Sequence, residues 1–323
     1  MSELDLKNLE DYETVGRWLK YVFSSGIRSQ STMKTYLHFL KRFCVFMQLN
    51  PDKLIEDRIE NLNAKDEQTK RIHEEKLGLW RDSMEADRDK NGKPKKPLAR
   101  GSVVTAHNII KSFYYSNYAE LIAKSPKSWR TRESSMIVPS HEQLAQMLKR
   151  SKRPRDSAII ICLAQSGISI QDFCELIPYG NIKVELEQGI EPLHVPMNRQ
   201  KLGQHPYDTF FGANAIEYLQ TYLKDLNPKP KDLVFPLSAR AIEHIVKKTS
   251  IRASMKTPIT PHRLRAFFNT YMCLSFHSEA KHIPVVDYWM GHVLPYGGAY
   301  MVPPLPDQRK LYKDHESAIS IPT

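Results

Sequence analysis

Apolar side chains recur at helical spacing between Thr14 and Leu49, with Trp18, Tyr21 and Val22 on one segment and Tyr36, Leu40, Phe43 and Met47 on the next. The polar stretch from Gly26 to Ser29 separates them, so two amphipathic helices are expected. Pro51 opens a third, short helical segment, and Glu67 to Asp87 reads as one long, mostly solvated helix. Helical periodicity resumes with Val103, Ile109, Ile110, Phe113 and Tyr114 and runs to about Tyr118. The spacing predicts a small helical bundle.

The pattern lapses between Lys124 and Pro139, where two prolines stand among Lys, Arg and Ser. That composition marks an extended basic linker, so a domain boundary is expected over residues 124–139, with one domain at 1–123 and another at 140–323. Ser140 and Gln143 have the spacing of a capping box and open a helix with Leu144, Met147 and Leu148 inward. A fully buried helix is expected over Arg155 to Gln165. Alternation then suggests three short strands, Lys183 to Leu186, Leu193 to Arg199 and Tyr207 to Phe211, turned at Gln188-Gly189 and Gly203-Gln204. Helices follow at Ala215 to Leu226, Ala239 to Lys248, Pro261 to Ser275 and Pro284 to Met290. The expected class is mainly α with a small antiparallel β-sheet.

The charge narrows the choice of partner. Among 323 residues, 47 Lys and Arg face 36 Asp and Glu, a formal net charge of +11 that favours a polyanion. Hydrophobic residues make up 41% of the chain, enough for packed cores and well away from intrinsic disorder. The longest apolar run, Ala158 to Ala164, is far short of the roughly 20 residues of a membrane span. Met1 to Leu6 lacks the features of a secretion signal, which points to the cytoplasm, or to the nucleus in a eukaryote. Cys44, Cys162, Cys174 and Cys273 stand singly in apolar stretches, as core residues do. His277, His282, His292 and His315 show no metal-ligand spacing, so no metal and no cofactor are expected. The loop from Lys90 to Arg100 carries five basic residues, among them Lys93, Lys95 and Lys96, and the linker carries Arg130 and Arg132; all five named side chains suit contacts to phosphate.

Thr260-Pro261 reads as an N-cap and first-turn pair, which puts His262 and Arg265 three apart on one face at a helix start. Imidazole, guanidinium and free backbone N–H groups together make a cradle for phosphate. Around this pair stand Ser166 to Asp172, then Arg199-Gln200-Lys201 before a hairpin turn, then Trp289 to His292, and Tyr300 eight residues beyond that His. This ordered set resembles the catalytic domain of the tyrosine recombinase, or phage integrase, family, in an archaeal-type or mobile-element form. The resemblance extends over most of the chain, since Ser29, Thr32, Tyr36, Leu40, Phe43 and Met47, and later Asn108, Ile110, Phe113 and Tyr114, are similar to helices of the core-binding domain that precedes such catalytic domains.

The resemblance implies roles. Tyr300 is the nucleophile, with Tyr296 its rival; Lys201 is the general acid; His262, Arg265 and His292 hold the phosphate; Asp172 is the acidic residue of the first box. The activity implied is cutting and rejoining of double-stranded DNA by four copies on two sites, with no membrane involved. One position departs from the family. Its first box reads Thr-Gly-Leu-Arg, and here Ser169 stands where that phosphate-clamping Arg belongs. Either another basic side chain fills the place, with Arg199 preferred over Arg155 and Arg263 because it lies two residues before Lys201 on a strand, or the enzyme is weakened. A silent DNA-binding homologue, a type IB topoisomerase-like enzyme and a helical RNA-binding or adaptor protein are the other readings. The tail after Tyr300, with Asp307, Arg309, Lys310, Leu311 and Tyr312, reads as a short amphipathic helix for docking onto a neighbour.

Overall fold

A computed structural model describes residues 6–24, 30–85, 98–126, 137–198, 205–276, 283–295 and 301–322. The chain divides into two compact units, Met1–Glu133 and Ser134–Thr323. No helix among the described residues is long and apolar enough to cross a membrane.

Among the described residues the first unit has only helices, with α1 (Glu13–Val22), α2 (Gln30–Met47), α3 (Pro51–Leu62), α4 (Glu67–Lys70), α5 (Ile72–Glu85) and α6 (Arg100–Ser116). Its core gathers Trp18, Phe43, Leu54, Leu77, Trp80 and Phe113 from five of these helices. The Trp18 indole also donates to Ser112 Oγ at 2.9 Å, so a large ring is buried without orphaning its N–H. Asn50 caps α3 by accepting from the Lys53 amide at 2.9 Å, with Pro51 in the first turn. The single long helix expected from Glu67 onward is instead two, broken at Arg71. The reason is a competitor for the backbone: buried Arg58 donates to the Lys70 carbonyl at 2.6 Å, capturing an acceptor that an unbroken helix would use. The same guanidinium makes a two-pronged pair with Glu74 at 2.6 and 2.9 Å. Beside it, buried His73 bridges Tyr114 Oη and Asp57 Oδ2, each at 2.8 Å.

The second unit surrounds one buried helix. Its elements are α7 (His141–Arg150), α8 (Pro154–Ser166), α9 (Ile170–Glu175), α10 (Tyr179–Glu187), β1 (Leu193–Met197), β2 (Tyr207–Phe211), α11 (Ala213–Leu223), α12 (Ala239–Arg252), α13 (Pro261–Ser275), α14 (Ile283–Trp289) and α15 (Leu305–His315). Every residue of α8 from Asp156 to Ser166 is buried, and α7, α11, α12, α13 and β2 pack around it. The capping box at Ser140 and Gln143 is present in both directions. Strands β1 and β2 form an antiparallel pair registered from Leu193 opposite Phe211 to Met197 opposite Tyr207. The mainly α class with a small antiparallel sheet is therefore the observed one.

Two expectations for this unit fail. Lys183 to Leu186 is not a strand but the second half of α10: Ile182 and Leu186, four apart, are buried while Val184 between them is 60% exposed, a helical period and not a period of two. The tail helix α15 does not present its apolar side outward either. Tyr312 is fully buried against Phe210 and Trp289, and Gln308 accepts from the Trp289 indole at 2.9 Å, so the segment completes the core of its own unit.

One buried group in the first unit predicts an acid response. His107 on α6 is buried, and neither ring nitrogen has a hydrogen-bond partner. Burial, then Lys111 and Arg81, pull its pKa down to about 4. In the unfolded chain it titrates near 6.5, so between about pH 6.5 and 4 the unfolded state binds the extra proton. The stability from keeping His107 neutral is complete above pH 6.5 and lost as the pH falls, roughly 3 kcal/mol in all. Amide protection in α5 and α6 should drop accordingly between pH 7 and 4.5, and His107→Leu should blunt that drop. An equal drop in the variant would show that His107 does not govern it.

Candidate phosphate-binding site

The buried helix α8 ends at Gly167, whose left-handed φ of 62° turns the chain out of the helix. A side chain there would also run into the Phe268 ring. The last carbonyls of a helix have no partner within it, and here three consecutive ones are taken by side chains from three other elements. Tyr312 of α15 donates to Gln165 O at 2.6 Å, Thr209 of β2 to Ser166 O at 3.0 Å, and Arg265 of α13 to Gly167 O at 2.6 Å. The guanidinium also gains from the negative end of the α8 dipole.

Arg265 is thereby aimed. Its other terminal nitrogen, Nη2, lies 2.7 Å from His292 Nε2, so residues 27 apart in sequence meet. His292 follows the end of α14 in a Schellman turn. Gly291 has φ of 74°, its amide donates to Tyr288 O at 2.7 Å, and the His292 amide donates to Asp287 O at 3.0 Å. Within the same turn, His292 Nδ1 lies 2.8 Å from Asp287 Oδ1. His262 is exposed in the first turn of α13, three residues before Arg265 and thus on the same face. Thr260 holds the N-cap position in extended conformation but makes no side-chain cap bond.

Ser169, at the position of the family Arg, has a local job. It is the N-cap of α9, accepting from the Asp172 amide at 3.2 Å and donating to Asp172 Oδ2 at 2.7 Å. Tyr207, the first residue of β2, donates to the same carboxylate oxygen at 3.1 Å. Buried Asp172 therefore ties the turn after α8 to the hairpin and faces inward. Of the other basic residues weighed for the vacant role, Arg155 pairs with Asp156 at 3.0 Å and Arg263 donates to Pro258 O at 3.0 Å.

The hairpin is linked to α14 as well. Asp208 on β2 accepts from Tyr288 Oη at 2.9 Å and meets His194 Nε2 of β1 at 2.7 Å. The bond from His194 and, after it, that from Tyr288 hold the Asp208 carboxyl below the usual carboxylate range against its partial burial. Burial and then Asp208 push the Tyr288 hydroxyl up, so this phenol stays protonated as a donor.

The structure thus brings together Arg265 and His292, with His262 on the adjoining helix face, and places Asp172 on the turn that feeds them. Tyr300, Tyr296, Lys201, Arg199, Lys93, Lys95, Lys96, Arg130 and Arg132 lie outside the described residues. Sequence reasoning missed Gly167, Tyr207 and Asp287. The signal for Asp287 was present: a carboxylate five residues before a His that follows Gly is the C3 position of a Schellman turn, which the motif sets against that His. Among the described residues no group of three or more His, Cys, Asp or Glu is arranged to hold a metal ion.

A buried helix whose C-terminal turn aims an Arg at a His, beside a two-stranded antiparallel sheet, is the geometry of this site. No family model matches the sequence. Tyrosine recombinase XerD of Staphylococcus saprophyticus is 24% identical over 276 residues, covering 80% of this chain and 84% of that protein. A tyrosine recombinase of Pseudothermotoga lettingae is 25% identical over 279 residues, covering 82% and 84%. Among solved structures, lambda integrase bound to DNA matches with a TM-score of 0.55 at 12% identity, over 92% of this chain and 95% of that one. A lambda integrase tetramer bound to a Holliday junction matches with a TM-score of 0.53 at 14% identity, over 86% and 76%. By these measures the chain is similar to tyrosine recombinases over about four-fifths of its length.

Gly167 is where fold and site can be tested together. Gly167→Ala puts a methyl group into the Phe268 ring at a left-handed position, and should destabilise the second unit by about 1 to 3 kcal/mol in urea unfolding. An unchanged midpoint would mean that the turn relaxes without cost.

Proposed function

We propose that the chain is a site-specific DNA recombinase that cuts and rejoins duplex DNA through a 3′-phosphotyrosyl intermediate. The observation that carries this reading is the convergence of Arg265 and His292, 2.7 Å apart from two different helices, in a chain that aligns with tyrosine recombinases over 80% of its length. Guanidinium and imidazole at that separation suit two oxygens of one phosphate, and His262 adds a donor at a helix N-terminus. In the reaction, Tyr300 Oη attacks phosphorus and the bond to the 5′-oxygen breaks. Lys201 gives that oxygen a proton, while Arg265, His262 and His292 stabilise the pentavalent state. The phosphodiester becomes a phosphotyrosyl ester, so the reverse attack by a 5′-hydroxyl reseals DNA with no external energy source. Asp172 orders the first-box turn and does not touch the phosphate.

The partner is double-stranded DNA, bound through phosphate contacts that include Lys93, Lys95, Lys96, Arg130 and Arg132, in the cytoplasm or, in a eukaryote, the nucleus. Four copies act on two sites; the lambda integrase tetramer is the precedent that supports this. The domain limits proposed are a DNA-binding domain at 1–123, a linker at 124–139 and a catalytic domain at 140–323. Integration or excision of a mobile element is the setting that such an activity serves.

A DNA duplex nicked next to the cleavage point traps the intermediate. The wild-type chain should form a covalent adduct, and Tyr300→Phe should abolish it while leaving DNA affinity nearly intact. Adduct from Tyr300→Phe but not from Tyr296→Phe would move the nucleophile to Tyr296, and no adduct from the wild type would leave only a DNA-binding homologue. Supercoil relaxation without recombinant product would select a topoisomerase instead.

Arg199 takes the place of the missing first-box Arg in this reading, supported by the engagement of Arg155 and Arg263 elsewhere. Arg199→Ala should then slow cleavage by about 10² or more. Ser169→Arg should bring no gain, since it also removes the α9 cap at a cost of about 1 kcal/mol. A faster Ser169→Arg together with a silent Arg199→Ala would show a weakened enzyme and not a replaced clamp.

A further inference from the structure

We propose that Asp287 is a positioning residue of this site: it fixes His292 as the Nδ1–H tautomer, so that Nε2 is the nitrogen presented to Arg265 and to an incoming phosphate. The proposal rests on the recombinase reading for its function but on geometry alone for the tautomer. A carboxylate only accepts hydrogen bonds and a guanidinium only donates them. With Asp287 Oδ1 2.8 Å from Nδ1 and Arg265 Nη2 2.7 Å from Nε2, the proton sits on Nδ1 and the lone pair on Nε2. No other tautomer satisfies both partners.

The carboxylate is held for this work from several directions. Asp287 and His292 are the third-last and the second following residues of a Schellman turn, positions that ordinarily share an apolar contact and here share an ionic one. Helix α14 is pinned on either side of the helix end: Tyr288 to Asp208 on the hairpin at 2.9 Å, and Trp289 to Gln308 on α15 at 2.9 Å. Asp287 also faces α13, where burial and then its charge raise the Cys273 thiol. The imidazole is therefore braced between two helices before any DNA arrives. In the free site Nε2 accepts from Arg265; at a phosphate, the same nitrogen needs only to take up a proton to become a donor.

The side chain of Asp287 is 41% exposed, so replacing it should not unfold the unit. In the full-length chain with ¹⁵N-labelled histidine, His292 is assigned by its loss in His292→Gln. The wild type should show the Nδ1–H pattern. Asp287→Ala should release it to a tautomer mixture and slow adduct formation by about ten- to a hundredfold, with DNA affinity unchanged. Asp287→Asn, whose amide oxygen still accepts from Nδ1–H, should keep the tautomer and recover most of the rate. A His292 pattern that is the same in Asp287→Ala as in the wild type would overturn the proposal, as would loss of rate in Asp287→Asn equal to that in Asp287→Ala. Absence of adduct in the wild type would instead defeat the recombinase reading and leave the tautomer measurement standing.

Discussion

Everything in the second unit hangs on how one buried helix ends. α8 is buried from Asp156 to its C-terminus, so its last carbonyls must find donors within the protein. They find Tyr312, Thr209 and Arg265, one from the tail helix, one from the hairpin and one from α13. A backbone requirement that is costly to leave unmet thus becomes the bracket that assembles three elements around one turn. Arg265 is the member of that bracket with several donors. Having capped α8 with one nitrogen, it is left pointing at His292 with another.

The same turn explains why Ser169 is tolerated. Where the family carries an Arg, this chain carries a helix cap that shares Asp172 with Tyr207 of the hairpin. The local fold gains an N-cap and a buried carboxylate with its partners satisfied, where an Arg would bring a charge and no cap.

The first unit solves its burial problem in another way. It keeps an ion pair, Arg58 with Glu74, and a His73 bridge inside a helical bundle. Arg58 also takes two backbone carbonyls, from Lys70 and Glu120, so the charge is distributed over a network. Burial, partly opposed by Asp57, pulls the His73 pKa down, in the same direction as His107. Both histidines favour the neutral form, so both take stability from this unit as the pH falls.

Helical periodicity along the chain was enough to foresee α1, α2, α6, α7 and α13, because in each an apolar stripe at a 3.6-residue period faces a core. The order of Arg199, Lys201, His262, Arg265, His292 and Tyr300 carried the resemblance to tyrosine recombinases, because it can be read without knowing what holds those side chains. Periodicity misled at Lys183 to Leu186, where four residues are too few to tell a period of two from one of 3.6. It also misled at Glu67 to Asp87, where a side chain 12 residues upstream takes a carbonyl from the helix. The destination of the tail was likewise beyond it, because whether Tyr312 packs at home or on a neighbour depends on the slot that Phe210 and Trp289 leave. Composition and order determined what kind of chemistry the chain carries. Which atoms meet, above all Arg265 with Gly167 O and His292, was decided by the tertiary structure, because contacts between residues 98 and 27 positions apart arise only once a buried helix end has to find its donors.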